Sequence, residues 1–189
     1  QLNFEGVPEY RMTIRALERE VTHPFVGAFG VPIGKQTERA LSLALADLNG
    51  DGWQDLVVGN EGTNRYYLHN GKPNPFGDVV GLDFMGDAHN TLSIAAGDLT
   101  GDGKPDIVVG NGAFDAESQP NWVYYNDGRP EPFARVAGER LGEDISLTTA
   151  VALSDLDQDG DLDLIVRNSW PINEQDSYIL ENNGTSRPL

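Results

Sequence analysis

A nine-residue acidic loop occurs three times in this chain, at Asp47–Asp55, Asp98–Asp106 and Asp155–Asp163. Each copy follows an alternating apolar stretch and precedes a β-branched run, an aromatic stretch and a turn. A unit repeated at this spacing cannot bury its apolar face alone, so neighbouring copies must stack to form a continuous core. The chain is therefore predicted to fold as a tandem array of three similar units.

The segments around each loop show the period-two pattern of β-strands. Leu41, Leu43 and Leu45 alternate with smaller residues before the first loop, and the pattern returns in the other copies. Large residues on one face and small ones on the other predict a first strand buried on both sides. The apolar run after each loop predicts a second core strand, and the aromatic stretch predicts a third. The result is an antiparallel meander, and no convincing helix is visible.

A proline followed by an apolar residue marks the repeat boundaries. The repeats are predicted at about 25–75, 76–132 and 133–189, after an N-terminal strand or linker segment over residues 1–24. The proline marks are Pro24-Phe25, Pro75-Phe76, Pro132-Phe133 and Pro188-Leu189.

Each blade is expected to end in an outer strand that begins at the phenylalanine after the turn, so the blades are out of phase with the repeat boundaries. Phe76–Gly81 and Phe133–Gly138 are the two candidates, and no equivalent segment follows Leu189. The strand-like segments Tyr10–Ala16 and Phe25–Gly30 have no repeat of their own. One end is therefore expected to offer an unpaired edge and the other a spare strand.

The charge of the chain excludes several classes of partner. Its 189 residues carry a formal net charge of −17, so a nucleic-acid partner is not expected.

No apolar run approaches the length of about 20 residues that a membrane span needs, so no membrane insertion is expected. The chain has no cysteine, which excludes disulfides and thiolate sites. It begins at Gln1 and not at Met, which suggests a processed or trimmed N-terminus.

The loops place oxygen-bearing residues at alternate positions, and glycine occupies position 6 of each. This spacing lets the backbone wrap one hard cation, and the glycine turns the position-7 carbonyl inward. Ten Asp side chains at positions 1, 3, 5 and 9 need neutralisation, which favours three Ca²⁺ sites. The predicted ligands are Asp47, Asn49, Asp51, Trp53 and Asp55 in the first loop; Asp98, Thr100, Asp102, Lys104 and Asp106 in the second; and Asp155, Asp157, Asp159, Asp161 and Asp163 in the third, with Trp53, Lys104 and Asp161 acting through their carbonyls.

The loops resemble two other structures, an EF-hand loop and a metal-free turn. An EF-hand requires Glu at position 12 between helices, but that position is Val58, Val109 or Val166 in strand-like runs. A metal-free Asp-Gly turn would explain one loop, whereas three matching copies favour calcium. The third loop is expected to bind most strongly, and the second, with neutral Thr100 at position 3, most weakly.

These loops, together with Val-Val-Gly-Asn60, Val-Val-Gly-Asn111 and the Tyr-Leu-His-Asn-Gly71 turn, resemble the FG-GAP/VCBS repeat family. That family supplies the calcium-loop blades of integrin α-subunit propellers and of many bacterial extracellular proteins. The resemblance implies an all-β fold of three tandem four-stranded antiparallel blades, with calcium in the loop between the first two strands. Because family propellers usually have about seven blades, three imply an incomplete propeller, completed by strand exchange between subunits or belonging to a larger one.

The expected function is that of a secreted, extracellular or cell-surface structural subunit that is stabilised by calcium. Residues 1–30 are expected to complete the third blade of a neighbouring copy, which gives a head-to-tail homo-oligomer, either a ring or a filament. A fragment of a larger propeller is the other reading of the array. No catalytic role is expected, because His23, His69 and His89 are scattered and lack a catalytic motif.

The alternative function is an adhesion or lectin module that binds a glycan or a protein. Six aromatic residues could stack on sugar rings, although packing between blades is the favoured explanation for them. These residues are Tyr66, Tyr67, Trp122, Tyr124, Tyr125 and Trp170.

Overall fold

The structure, a computed structural model, describes residues 33, 38–84, 86, 88–112, 119–142, 147–169 and 177–189. These residues form strands and connecting loops without a helix, as the sequence predicts. The strands are β1 Ala40–Ala46, β2 Asp55–Asn60, β3 Arg65–Tyr67, β4 Leu82–Asp83, β5 Thr91–Gly97, β6 Asp106–Asn111, β7 Trp122–Tyr124, β8 Glu139–Arg140, β9 Leu147–Ser154, β10 Asp163–Ser169 and β11 Tyr178–Leu180.

The strands form three separate antiparallel meanders that follow the chain order. Blade 1 is the sheet β1-β2-β3-β4, blade 2 is β5-β6-β7-β8, and blade 3 is β9-β10-β11. The all-β array of propeller-like blades is thus confirmed. Within the described residues, blade 3 has three strands and lacks an outer one.

Each acidic loop closes the hairpin between the first two strands of its blade. The last paired residues before the loop are Ala46 with Asp55 in blade 1 and Gly97 with Asp106 in blade 2. Ser154 with Asp163 closes the hairpin of blade 3. Position 1 therefore follows the first strand directly, and position 9 is the first residue of the second strand. The loop location implied by the family resemblance is confirmed.

Adjacent blades pack the small face of one first strand against the large face of the next. The Ser42 Oγ of blade 1 accepts a 3.0 Å bond from the Ile94 N–H of blade 2. Ala44 and Ala46 pack against the core cluster that contains Ile94. The Ser93 Oγ likewise accepts a 3.0 Å bond from the N–H of Val151 in blade 3.

The prediction that every first strand is buried on both sides is wrong for blade 1. Leu43 and Leu45 are 58% and 59% exposed, whereas Ile94, which aligns with Leu43, is 8% exposed. In blades 2 and 3, the small face of the preceding blade covers the large face of the first strand. Among the described residues, no sheet lies against the large face of blade 1, so its leucines contact solvent.

Buried polar side chains connect adjacent blades in the same way twice. The Asn64 amide donates to Thr91 Oγ1 at 2.7 Å, and that hydroxyl donates to Asn111 Oδ1 at 2.6 Å. Asn121 donates to Thr148 Oγ1 at 2.8 Å in the next junction. These bonds satisfy groups that would otherwise be costly to bury, and they fix how consecutive blades are aligned.

The outer strands lie just after the segments predicted to form them. Phe76–Gly81 and Phe133–Gly138 are mainly turns and bends, and the two-residue strands β4 and β8 follow. Phe133 is fully buried and packs edge-on against Tyr66, with ring centroids 5.5 Å apart. In both segments a turn bond closes the backbone where the strand was expected to start, from the Val79 N–H to Phe76 O and from the Val136 N–H to Phe133 O, each at 3.4 Å. The N-terminal segments that were predicted to supply spare strands lie outside the described residues.

A glycine in the second strand allows each blade to approach the next. A Cβ added at Gly110 would lie 2.7 Å from Thr148 Cγ2 and 3.0 Å from Val151 Cγ1, both in blade 3. The aligned residue in blade 3 is Arg167, which is exposed. The glycine is therefore required only where another blade is packed against it.

The substitution Gly110→Ala should lower the free energy of unfolding by about 1–3 kcal/mol, because the added methyl group overpacks the junction. Urea denaturation followed by circular dichroism measures this change. The matched control is Arg167→Ala, at the aligned but exposed position, which should change stability by less than about 0.5 kcal/mol. Equal effects of the two substitutions would contradict the packing argument.

Candidate metal sites

The first aspartate of each acidic loop holds the loop backbone in a tight turn. Asp47 accepts bonds from the Asp51 N–H at 3.0 Å and the Gly52 N–H at 2.8 Å. Asp98 makes the same pair in the second loop, to Asp102 and Gly103. The glycine at position 6 has φ of +88° in the first loop, +83° in the second and +103° in the third. Its predicted role in turning the backbone is confirmed.

Position 4 also has a left-handed backbone, which the sequence analysis did not single out. Gly50 and Gly101 occupy it with φ of +73° and +70°. In the third loop the residue is Gln158, with φ of +66°. A residue with a Cβ costs roughly 1–2 kcal/mol in this conformation, so the third loop is strained at a point where the others are not.

The third loop brings three exposed carboxylates together. Ligand atoms of Asp155, Asp157 and Asp159 all lie within 4.8 Å of one another. The main chain of the loop is held by Asp155, which accepts bonds from the Gln158 N–H and the Gly160 N–H. Oxygen atoms this close suit a single hard cation such as Ca²⁺.

The second loop contains its own positive charge. Lys104 Nζ lies 2.7 Å from Asp102 Oδ2, so the side chain at position 7 pairs with the carboxylate at position 5. A hydrogen bond from Lys104 is the main reason that the pKa of Asp102 is lowered. A metal ion would have to compete with this ammonium group for the same oxygen.

The aspartate at position 9 is buried in every loop. Asp55, Asp106 and Asp163 are 0%, 1% and 2% exposed. Asp106 accepts bonds from the Leu99 N–H at 3.0 Å and the Asn126 N–H at 2.8 Å. The carboxylate thus ties the loop to the turn after the third strand, a structural role that sequence reasoning missed. The metal-ligand role proposed for position 9 stays a prediction.

Burial makes the carboxylates of Asp106 and Asp55 costly to ionise. Desolvation raises the pKa of Asp106 to about 6, although two backbone N–H bonds oppose the shift. The pKa of Asp55 is raised for the same reason, and the charges of Asp51 and Asp47 add to the rise. A cation held by each loop would supply the missing counter-charge, so the donor set fits a hard divalent ion.

The remaining predicted ligands lie in the same loops. Asn49 Oδ1 accepts a 3.0 Å bond from the Asp51 N–H, and Thr100 Oγ1 lies 3.5 Å from Asp98 Oδ1. Asp161 follows Asp159 in the third loop, and its N–H donates to that carboxylate at 2.9 Å. The carbonyl ligands expected from Trp53, Lys104 and Asp161 stay predictions.

Two asparagines near the loops were not predicted to be functional. Asn126 and Asn182 occupy aligned positions in the turns after β7 and β11, and their side chains donate to carbonyls in the loop of the preceding blade. The recurrent Asn-x-Gly of these turns was the available signal. In blade 1 the aligned residue is His69, which lies in a turn as predicted and stacks on Trp53 with ring centroids 4.7 Å apart.

The aromatic residues considered for sugar stacking serve mainly as core. Tyr66, Tyr67 and Tyr124 are at most 2% exposed, so their faces are closed to a ligand. Trp122 and Tyr125 are partly buried and pack against the core clusters. Trp170 lies outside the described residues.

Comparison with known proteins gives the same family twice. Residues 33–109 match the model of an FG-GAP-like repeat, and residues 90–129 match that of the FG-GAP repeat. Together the two matches cover residues 33–129, which include strands β1 to β7.

Several integrin α-subunits are similar to the chain. Integrin alpha-7 of Rattus norvegicus is 31% identical over 115 residues, which is 53% of this chain and 10% of the integrin. Integrin alpha-6 of Gallus gallus is 28% identical over 166 residues, or 80% and 15%. Integrin alpha-3 of Cricetulus griseus is 33% identical over 143 residues, or 66% and 13%. The chain spans only a small part of each relative.

The substitution Lys104→Gln should tighten divalent-cation binding at the second loop by a few-fold, because the ammonium group no longer competes with the ion for Asp102 Oδ2. Isothermal titration calorimetry with CaCl₂ measures the change. Lys72→Gln, which removes an exposed lysine elsewhere, is the control for net charge. Equal tightening by both variants would assign the effect to overall charge.

Proposed function

Because this chain belongs to the FG-GAP repeat family, we propose that it is a calcium-stabilised β-propeller module of an extracellular or cell-surface protein, with a role in adhesion. The observation that carries the proposal is the repetition of one loop geometry in consecutive blades, each loop closing its hairpin through a buried aspartate. Calcium is the ion that best suits an all-oxygen donor set at exposed loops. Millimolar calcium outside cells matches sites of modest affinity.

The proposed role is binding and not catalysis. The acidic side chains are used by the loops, and His69 is occupied by a bond from the Gly71 N–H to its Nδ1 at 2.9 Å. A lectin function has less support than a protein-binding one, because the third-strand tyrosines are buried. The described residues contain no helical segment with the length and hydrophobicity that a membrane crossing requires.

Calcium should raise the thermal stability of the chain, and a chelator should lower it. Each site at a calcium concentration of 100 times its Kd contributes about 2.7 kcal/mol, since only the folded loop binds. Differential scanning calorimetry with CaCl₂ and with EDTA measures this shift. An unchanged transition in both solutions would overturn the calcium proposal.

A charge-matched pair of variants separates loop binding from general electrostatics. Asp159→Asn keeps the acceptor for the Asp161 N–H but removes one carboxylate from the third loop. Asp78→Asn removes an exposed carboxylate outside the loops. Only the first should reduce the calcium-dependent part of the stability.

A second candidate function is self-assembly, which the large face of blade 1 favours. Leu43 and Leu45 are more than half exposed, and an apolar strand face of this kind invites a partner. Blade 3 has three strands in the described residues, so β11 is open to strand addition. Head-to-tail addition of residues 1–30 from a neighbouring copy remains the proposed form of this assembly.

Assembly through the large face of blade 1 predicts a specific sensitivity. Leu43→Lys should convert oligomers to monomers in sedimentation velocity, because a buried lysine would lack a partner. Val80→Lys, at a valine that is 80% exposed outside the first strands, should leave association unchanged. A wild-type chain that is monomeric with calcium at all concentrations tested would refute the self-assembly candidate.

A further inference from the structure

Asn126 contacts the acidic loops of two blades at once. Its side-chain amide donates to Leu48 O in the first loop at 2.8 Å and to Pro105 O in the second loop at 3.1 Å. Its main-chain N–H donates to Asp106 Oδ1 at 2.8 Å. Its own Oδ1 accepts from the Gly128 N–H at 2.8 Å, and the residue is 8% exposed. Every polar group of this side chain is therefore engaged.

Asn182 repeats the arrangement one blade further on. Its amide donates to Leu99 O in the second loop at 2.9 Å and to Leu162 O in the third loop at 3.1 Å. Its N–H donates to Asp163 Oδ1 at 2.9 Å, and it is 7% exposed. Its Oδ1 accepts from the Gly184 N–H at 2.9 Å, so the same four hydrogen bonds link each pair of adjacent loops.

The contacted atoms belong to the parts of each loop that would hold a cation. Leu48 lies between Asp47 and Asn49, at positions 1 and 3 of the first loop, and its N–H donates to Asp55 at 2.9 Å. Pro105 and Asp106 are positions 8 and 9 of the second loop. The two loops also line a common cleft of about 130 Å³. Asn126 therefore joins the start of one loop to the end of the next.

We infer that Asn126 and Asn182 couple the cation sites of adjacent blades, so that filling one loop tightens binding at its neighbour. The inference rests on the proposed calcium function. A cation that orders Asp47 and Asn49 also fixes the Leu48 carbonyl between them. The fixed carbonyl in turn holds the Asn126 side-chain amide, which donates to Pro105 O and keeps the second loop closed. The neighbouring site then loses less conformational freedom when it binds, which is positive cooperativity.

Blade 1 has a different residue at the position of the linking asparagine, and this residue suggests a substitution that removes the link. His69 occupies the aligned position. Its main-chain N–H donates to Asp55 at 2.7 Å, and its ring Nδ1 accepts from the Gly71 N–H. It thus makes the bonds within its own blade without a side-chain amide. Asn126→His should accordingly preserve the turn and remove the donor to the Leu48 carbonyl. Asn182→His is the matched control, because it breaks only the link between the second and third loops.

The test measures Tb³⁺ binding at the first loop through emission sensitised by Trp53, which stands at position 7 of that loop alone. Asp102→Asn weakens the second loop. It should raise the Tb³⁺ Kd of the first loop by about fivefold or more in the wild-type background, within the usual range of coupling. The same effect should persist with Asn182→His and fall below about twofold with Asn126→His.

The outcomes separate the two proposals. Absence of Ca²⁺ and Tb³⁺ binding to the wild-type chain would overturn the proposed function itself. Binding with an Asp102→Asn effect that is absent, or equal in the wild-type and Asn126→His backgrounds, would overturn the coupling alone. If Asn126→His lacks a native thermal transition, Asn126→Asp replaces it, since it keeps the acceptor for Gly128 and also lacks the amide donor.

Discussion

The buried carboxylate at position 9 is the interaction on which the array depends. Asp106 is almost completely shielded from water, and it accepts two backbone N–H bonds, one from its own loop and one from the turn after the third strand. These bonds join the first hairpin of a blade to its third strand. They do not fully offset the desolvation, since the pKa is still raised to about 6. An acidic group in this position makes a nearby cation a stabilising element of the fold.

The contacts between blades extend this local arrangement along the chain. Ser42 and Ser93 accept main-chain bonds from the next blade, and Asn64 and Asn121 donate to its threonines. The apolar surfaces between the same blades form two continuous core clusters. Because each contact recurs with the same partners, one blade positions the next through hydrogen bonds as well as through packing.

The sequence predicted the repeating unit well because its signals are local. Alternation around Leu43, the position-6 glycines and the aromatic third strands each depend on a few neighbouring residues, and the structure has them where predicted. Contacts between repeats were less predictable. The exposure of Leu43, the burial of Phe133 and the bridging role of Asn126 depend on which surface meets which. Such information is not contained in the periodicity of one segment.

The residues that make the contacts between blades change at the two outer faces of the array. Blade 3 has Ala150, Arg167 and Ser177 where blade 1 has Ser42, Gly59 and Asn64 and blade 2 has the same three residue types. Blade 1 has Ala40 and His69 where blades 2 and 3 have threonine and asparagine. A junction between two blades needs the serine and threonine hydroxyls, the second-strand glycine and the asparagine amides together, because it buries these groups against one another.

Among the described residues, none of these groups is available on the outer faces, and Arg167 would put a guanidinium where the next blade requires a glycine. A second copy therefore cannot reproduce the internal junction by stacking blade 3 on blade 1. Any partner of these faces must use a different set of contacts, such as main-chain pairing at the β11 edge, which needs no particular side chain. The repeats are thus similar in fold, but their side chains are specialised according to which faces are covered by a neighbouring blade.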